Sequence, residues 1–204
     1  MVQFLDNLTA GHCRSCDELL SRYGNDKIFN MRIMKSPINS TLDKILDWLS
    51  LGIYGEKKQE LNYDNMYHLY LLVLLRDTEG DICLRIEKNE FIEINISTWT
   101  VPEDAIYMDI LPVNFPFITL NEFISNGMMY ISSVLKLDPY MYNPTNNNCQ
   151  VFIQSLLISN GYNYRSFIMQ DTEQLIGSMP SLVRGVIDEG VSIGKFLSEY
   201  LMGK

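Results

Sequence analysis

The chain has 204 residues, of which 47% are hydrophobic and 20% are charged, and its net charge is -9. These values are ordinary for one globular domain with or without extensions. The acidic balance argues against binding to the phosphates of nucleic acid and against docking by charge on an anionic membrane. The longest apolar run, 69–75, is far shorter than the roughly 20 residues that span a bilayer, and the start lacks the pattern of a signal peptide. Since its four cysteines are few and scattered, we expect a reducing compartment and free thiols.

The first 35 residues are predicted to be an N-terminal extension, with one candidate strand at 28–34. They contain an H-C-x-x-C cluster in which His12, Cys13 and Cys16 could bind zinc. A closed zinc site needs four ligands, and no second pair of Cys or His follows at the spacing of a zinc finger. We therefore predict no metal site and no cofactor, and keep a zinc-stabilised interaction module as a third hypothesis.

Hydrophobic periodicity and turn residues predict the elements of the middle of the chain. In chain order these are a helix from 40 to 52, a polar linker at 55–62, strands at 65–77, 82–94 and 106–111, and a short helix from 119 to 127. Thr119 and Glu122 form a capping box at the start of the last helix, and Asn126-Gly127 is expected to end it.

His68 lies inside the apolar strand at 65–77, where a histidine is more often a core residue than a catalytic one. With a two-residue turn after this strand, His68 pairs with Phe91, Asn89 is its diagonal neighbour and Glu87 lies one step further on the same face. Either polar side chain would then be the third group that orients an imidazole beside a nucleophile.

Cys149 follows three asparagines and opens an apolar segment that runs to Asn160-Gly161. Asn is a good N-cap and Asn-Gly is a good helix stop, so we predict a helix over 149–159, buried because nearly every face is apolar. The dipole of this helix favours the nucleophilic thiolate, and free backbone N–H groups there could hold an oxyanion. The alternative is a structural cysteine that packs as a small hydrophobic side chain.

Residues 178–204 are predicted to be an amphipathic C-terminal tail, with an apolar stripe and a polar face of mixed charge. Such a segment packs on its own domain or on a partner protein. Because the polar face is not basic, membrane contact is not expected.

The order of these motifs, a histidine strand before a cysteine helix, is the reverse of the order in papain. It resembles the circularly permuted papain-like (NlpC/P60-type) superfamily of cysteine peptidases and acyltransferases, through Tyr-His-Leu at 67–69 and Asn-Cys-Gln-Val-Phe at 148–152. The segments 63–69, 87–90 and 147–152 are most similar to those of uncharacterised papain-like proteins of large DNA viruses.

The resemblance implies an α+β fold over residues 36–177, with a small antiparallel sheet packed on the buried cysteine helix. It implies that Cys149 is the nucleophile and His68 its base. Glu87 occupies the motif position of the third group, whereas Asn89 fits the predicted strand register better.

Two functions follow from the resemblance, and the sequence leaves both open. The first is a hydrolase of the thiol protease or amidase type, or an acyltransferase, that acts on a protein or acyl substrate with a Cys-His pair. The second is a virion structural component, such as a minor capsid protein, that keeps the fold and binds neighbouring capsid proteins through the tail. Both hypotheses place a viral protein in the virion or the host cytoplasm, without a nucleic-acid partner.

Overall fold

The computed structural model describes residues 13–14, 16–38, 47, 50–77, 80–89, 91–110, 118–162, 167, 169–177 and 179–180. Its strands are β1 (Cys13–Arg14), β2 (Lys27–Pro37), β3 (Tyr67–Asp77), β4 (Gly80–Lys88), β5 (Ile92–Ile96) and β6 (Ile106–Ile110). Its helices are α1 (Cys16–Tyr23), α2 (Ile53–Glu60), α3 (Leu120–Ser133), α4 (Cys149–Ser159) and α5 (Thr172–Gly177).

The strands form one sheet in the order β1-β5-β4-β3-β2-β6. All pairings among strands β2, β3, β4, β5 and β6 are antiparallel, whereas the two-residue β1 lies parallel to β5 at one edge of the sheet. The central β3 is a continuous apolar run, as expected for a strand that is covered on both faces. The protein is therefore α+β, as predicted.

Different elements pack on the two faces of the sheet. On one face, side chains of β2 to β5 form the main core together with helices α1, α3 and α4. On the other face, a smaller apolar cluster around Tyr70, Leu72 and Cys83 is covered by Trp99, Val101 and Ala105 from the connection between β5 and β6. Alternation along β3 and β4 thus sends successive side chains into two separate cores.

Helix α4 has the predicted boundaries and is buried along most of its length. Asn148 caps its N-terminus, and Phe152, Ile153, Leu156 and Leu157 are fully buried in the main core. This confirms the prediction of a core helix that begins at Cys149.

Helix α3 begins at the predicted capping box, in which the side chains of Thr119 and Glu122 each accept a backbone N–H. The prediction that it ends at Gly127 is wrong, because the helix continues to Ser133. A Cβ atom on Gly127 would lie 2.4 Å from Leu156 Cδ2 and 3.1 Å from its Cα. The glycine is therefore required by the close approach of α3 to α4, a contact that local sequence does not reveal.

Two predicted features differ from the structure, and two predicted segments cannot be compared with it. The expected linker at 55–62 is mostly helix α2, because its Lys, Glu and Gln residues are good helix formers even with Tyr54 as the only buried side chain. The predicted domain boundary after residue 35 falls inside β2, between β3 and β6. Residues 181–204 and most of the helix predicted at 40–52 lie outside the described residues.

The three cysteines whose side chains the structure describes are in two states. Cys83 and Cys149 are free, whereas Cys16 is disulfide-bonded, so the expectation of free thiols is wrong at that position. A small number of cysteines argues against a scaffold of several disulfide bonds, but it does not exclude a single disulfide bond. A disulfide sulfur is not a thiolate, so in this state Cys16 is not available as a zinc ligand. No helix in the described ranges is both long enough and apolar enough to cross a bilayer.

Candidate active site

Cys149 is the first residue of α4, and only 8% of it is exposed to solvent. The Asn148 side chain accepts from the N–H groups of Gln150 at 3.0 Å and Val151 at 3.1 Å. The cap therefore uses two N–H groups of the first turn, so these two are not free to bind an oxyanion. The N–H of Cys149 itself has no partner within the helix, since the first N–H groups of any α-helix lack one.

The hairpin of β3 and β4 places His68 beside Glu87. Its register runs from Tyr70 opposite Glu87 to Asp77 opposite Gly80. The turn thus falls one residue earlier than predicted, and the pairing is shifted by two residues. A shift of two keeps every side chain on its predicted face but changes its neighbours, so Glu87 becomes the diagonal neighbour of His68.

The sequence left two candidates for the side chain that contacts His68, Glu87 and Asn89, and in the structure Glu87 makes this contact. His68 Nε2 donates to Glu87 Oε2 at 2.7 Å, since a carboxylate can only accept. Asn89 has left the strand: its N–H donates to the carbonyl of Phe91 in the turn, and its side chain is exposed. The geometry therefore favours Glu87 as the third group.

A second cation holds the Glu87 carboxylate in place. Arg85 Nη2 donates to the same Oε2 atom at 2.7 Å, and its guanidinium lies 3.8 Å from the centre of the Tyr70 ring. Burial by itself would raise the pKa of Glu87, but the hydrogen bonds and charges of His68 and Arg85 outweigh it, and the pKa is lowered. The 7% exposed side chain is therefore a buried, charged acceptor.

His68 also interacts with Cys149, which acts on the pKa of the imidazole. Because Nε2 faces Glu87, Nδ1 is the ring nitrogen that remains for the sulfur. Burial opposes the charged ring, but hydrogen bonds and negative charge from Cys149 and Glu87 raise the pKa of His68 from 6.5 to about 9. The structure thus brings together Cys149, His68 and Glu87, and the ring favours the imidazolium form.

Two buried glutamines fix α4 against the start of the histidine strand. The Gln170 N–H donates to Gln150 Oε1 at 2.6 Å, and Gln170 Nε2 donates to the carbonyl of Asn65 at 2.8 Å. Gln170 Oε1 in turn accepts from the Tyr67 N–H at 3.1 Å. These bonds join the residue after Cys149 to the residue before His68, which fixes the distance between the two elements.

Sequence reasoning did not identify Arg85, Lys88, Gln150 or Gln170 as parts of this site. Lys88 and Gln150 lie inside the segments 87–90 and 147–152 that carry the family resemblance, which is the signal that could have indicated them. Arg85 and Gln170 have no comparable signal, because their roles depend on contacts with residues distant in the sequence.

The described residues contain no group of three or more His, Cys, Asp or Glu side chains arranged to hold a metal ion. His12, one of the residues considered for zinc, lies outside the described ranges. The groups assembled around Cys149 are suited to proton transfer and nucleophilic attack.

No protein-family model, no curated protein and no solved structure matches this chain. A functional assignment therefore depends on the geometry of the site and on general chemistry.

Proposed function

We propose that the protein is a cysteine hydrolase or acyltransferase in which Cys149 is the nucleophile, His68 its general base and Glu87 the group that orients and charges the imidazole. The observation that carries the proposal is the position of His68, which donates a hydrogen bond to Glu87 and interacts with Cys149 strongly enough for that residue to raise the pKa of the ring. A nucleophile, a base within hydrogen-bond reach and a third group that orients the base are the defining arrangement of this type of catalysis.

The reaction follows from the roles of these three groups. His68 holds the proton that Cys149 gives up, and the thiolate of this ion pair attacks the carbonyl carbon of an ester or amide. His68 then gives the proton to the leaving alcohol or amine as the carbon–oxygen or carbon–nitrogen bond breaks, which leaves an acyl thioester on Cys149. Water or another acceptor, deprotonated by His68, then attacks the thioester, which releases the acyl group on that acceptor and restores the ion pair of Cys149 and His68.

The oxyanion that forms during each attack needs a donor close to the sulfur. Since the cap uses the N–H groups of Gln150 and Val151, we assign this role to the backbone N–H of Cys149. The positive end of the α4 dipole adds to it, because the negative charge develops at the N-terminus of the helix.

The fold assignment is proposed on the same basis. A histidine on β3, an acidic residue on β4 and a cysteine that opens a later buried helix occur in the order of the circularly permuted papain-like superfamily. The antiparallel sheet that packs on α4 supports this assignment. The viral context and the class of substrate are carried by the resemblance of the three short segments alone.

The proposal is tested with p-nitrophenyl acetate, a small activated ester that needs little substrate recognition. The wild type is expected to release a stoichiometric burst of p-nitrophenolate and to carry a hydroxylamine-sensitive acetyl group on the peptide that contains Cys149. C149A should show neither signal, and C83A, which removes the other cysteine that is free within the described residues, should retain both. A folded wild type without a burst would contradict the proposal and favour the alternative of a virion structural component.

A further inference from the structure

Lys88 is fully buried at the end of β4, directly after Glu87. Side chains alternate along a strand, so Lys88 lies on the face of Ile86, towards the main core, while Glu87 lies on the face of His68. Lysine is almost never fully buried unless its charge is paired. A buried lysine next to the proposed site therefore needs a specific explanation.

The ammonium group of Lys88 finds three oxygen acceptors in the loop that leads into α4. Its Nζ donates to the carbonyls of Pro139 at 3.1 Å and Met141 at 2.8 Å, and to Asn147 Oδ1 at 2.9 Å. An ammonium has three N–H donors and no acceptor, so each donor can be matched by one oxygen. A neutral amine would have only two donors and would turn a lone pair towards one of the three oxygens.

Asn147 carries this contact to the nucleophile helix. While its Oδ1 accepts from Lys88, its Nδ2 donates to the carbonyls of Asp138 at 2.7 Å and Met141 at 2.6 Å. The next residue, Asn148, is the N-cap of α4, and the residue after that is Cys149. The position of the helix start is therefore connected to Lys88 through one fully bonded asparagine.

The charge of Lys88 also acts on its surroundings. Burial lowers its pKa to about 7, while negative charges on Asp138 and Cys149 act in the opposite direction. The charged groups that act on Lys88 thus come from the preceding loop and from α4. Because an interaction between two charges is reciprocal, the contribution of Cys149 to the pKa of Lys88 implies an equal effect of Lys88 on Cys149.

We infer that Lys88 is a positioning residue for Cys149: its ammonium holds the 138–147 loop and the start of α4 in place, and its buried positive charge favours the thiolate. The inference rests on the proposed function. A lysine that only filled space or stabilised the loop would leave the pH dependence of Cys149 unchanged, so the two roles can be separated by experiment.

The test is the rate of iodoacetamide alkylation at Cys149 as a function of pH, read by peptide mass spectrometry in the wild type, K88M and K58M. Met is close to Lys in shape and lacks the charge, and Lys58, on α2, is the matched control. In K88M the rate at pH 6 should fall about tenfold while the rate at pH 10, where every thiol is ionised, changes little. K58M should follow the wild type, and a K88M profile that coincides with the wild type would overturn the inference.

A second measurement decides the question if K88M does not fold. The ¹³Cε signal of Lys88 is titrated in lysine-labelled wild type and in C149A. Because coupling between two charges is reciprocal, loss of the thiolate should lower the pKa of Lys88. Identical titration curves in the two proteins would refute the inference.

The outcomes also separate this inference from the proposed function. If Cys149 is inert in the wild type, or reacts independently of His68, the proposed function fails. If Cys149 reacts at low pH through His68 but K88M does not shift the profile, only the role of Lys88 fails.

Discussion

Replacing Glu87 with Gln removes the negative charge that His68 faces and keeps the shape of the side chain. In the wild type, the difference between 6.5 and about 9 in the pKa of His68 corresponds to about 3 kcal/mol in favour of the charged ring. Glu87 and Cys149 each contribute a hydrogen bond and a charge to this difference. Because burial lowers the pKa of His68, the two partners together contribute more than this net difference, so if Glu87 supplies about half, E87Q should lower the pKa of His68 from about 9 to below about 8.

The assay is NMR titration of the imidazole nitrogens, which is simple here because the chain contains only two histidines. Cys149 and His68 titrate as a pair, so E87Q is measured both alone and in a C149A background. With both negative partners removed, only burial remains, and the pKa of His68 should fall below 6.5.

E103Q, a charge change at an exposed position between β5 and β6, is the control and should leave His68 unchanged. An unchanged His68 pKa in E87Q would refute the assignment of Glu87 as the orienting group.

Three further predictions concern packing, buried charge and thiol selectivity. In urea unfolding, G127A should lower the free energy of unfolding by about 1–3 kcal/mol, although alanine has the better helix propensity, because the added Cβ has no room against α4. G177A, which has open space around the added Cβ, is the control and should be neutral or stabilising. The pKa of Lys88 in the folded state lies below 10.5, so above pH 7 the unfolded chain binds more protons than the folded chain does. The free energy of unfolding of the wild type relative to K88M should therefore rise by about 2 kcal/mol from pH 7 to 9, and denaturant titrations that show no rise would contradict the assignment. Burial raises the pKa of Cys83 to about 11, so iodoacetamide at pH 7 should label Cys149 and spare Cys83 in peptide mass spectra.

The cysteine helix could be predicted from sequence because its signals are local. Asn148 caps it, Asn160-Gly161 ends it, and both act on residues within one turn. The same holds for the capping box at Thr119, where the two partners are three residues apart.

The strand register could be predicted only in part. When the turn moves by one residue, the cross-strand pairing moves by two. Each side chain then stays on the same face of the sheet but has different neighbours on the adjacent strand. The sequence therefore placed Glu87 and His68 on one face, while the choice of Glu87 over Asn89 required the actual turn.

The features that were missed depend on contacts between distant parts of the chain. Gly127 has the sequence signature of a helix end and instead allows α3 to approach Leu156. Lys88 has the signature of an exposed strand residue, and its partners lie more than fifty residues later. Such roles cannot be derived from periodicity or capping, which report only on neighbours in sequence.

The central claim, that His68 activates Cys149, is tested most directly by the pH dependence of iodoacetamide alkylation at Cys149 in the wild type and in H68A. The account predicts that wild-type Cys149 reacts rapidly well below pH 8.5, the ordinary range for a thiol, since His68 keeps its proton up to a pKa of about 9. In H68A the rate at pH 6 should fall by at least about tenfold, and the profile should follow that of an ordinary thiol. A wild-type Cys149 that is inert at low pH, or a profile that H68A leaves unchanged, would contradict the account.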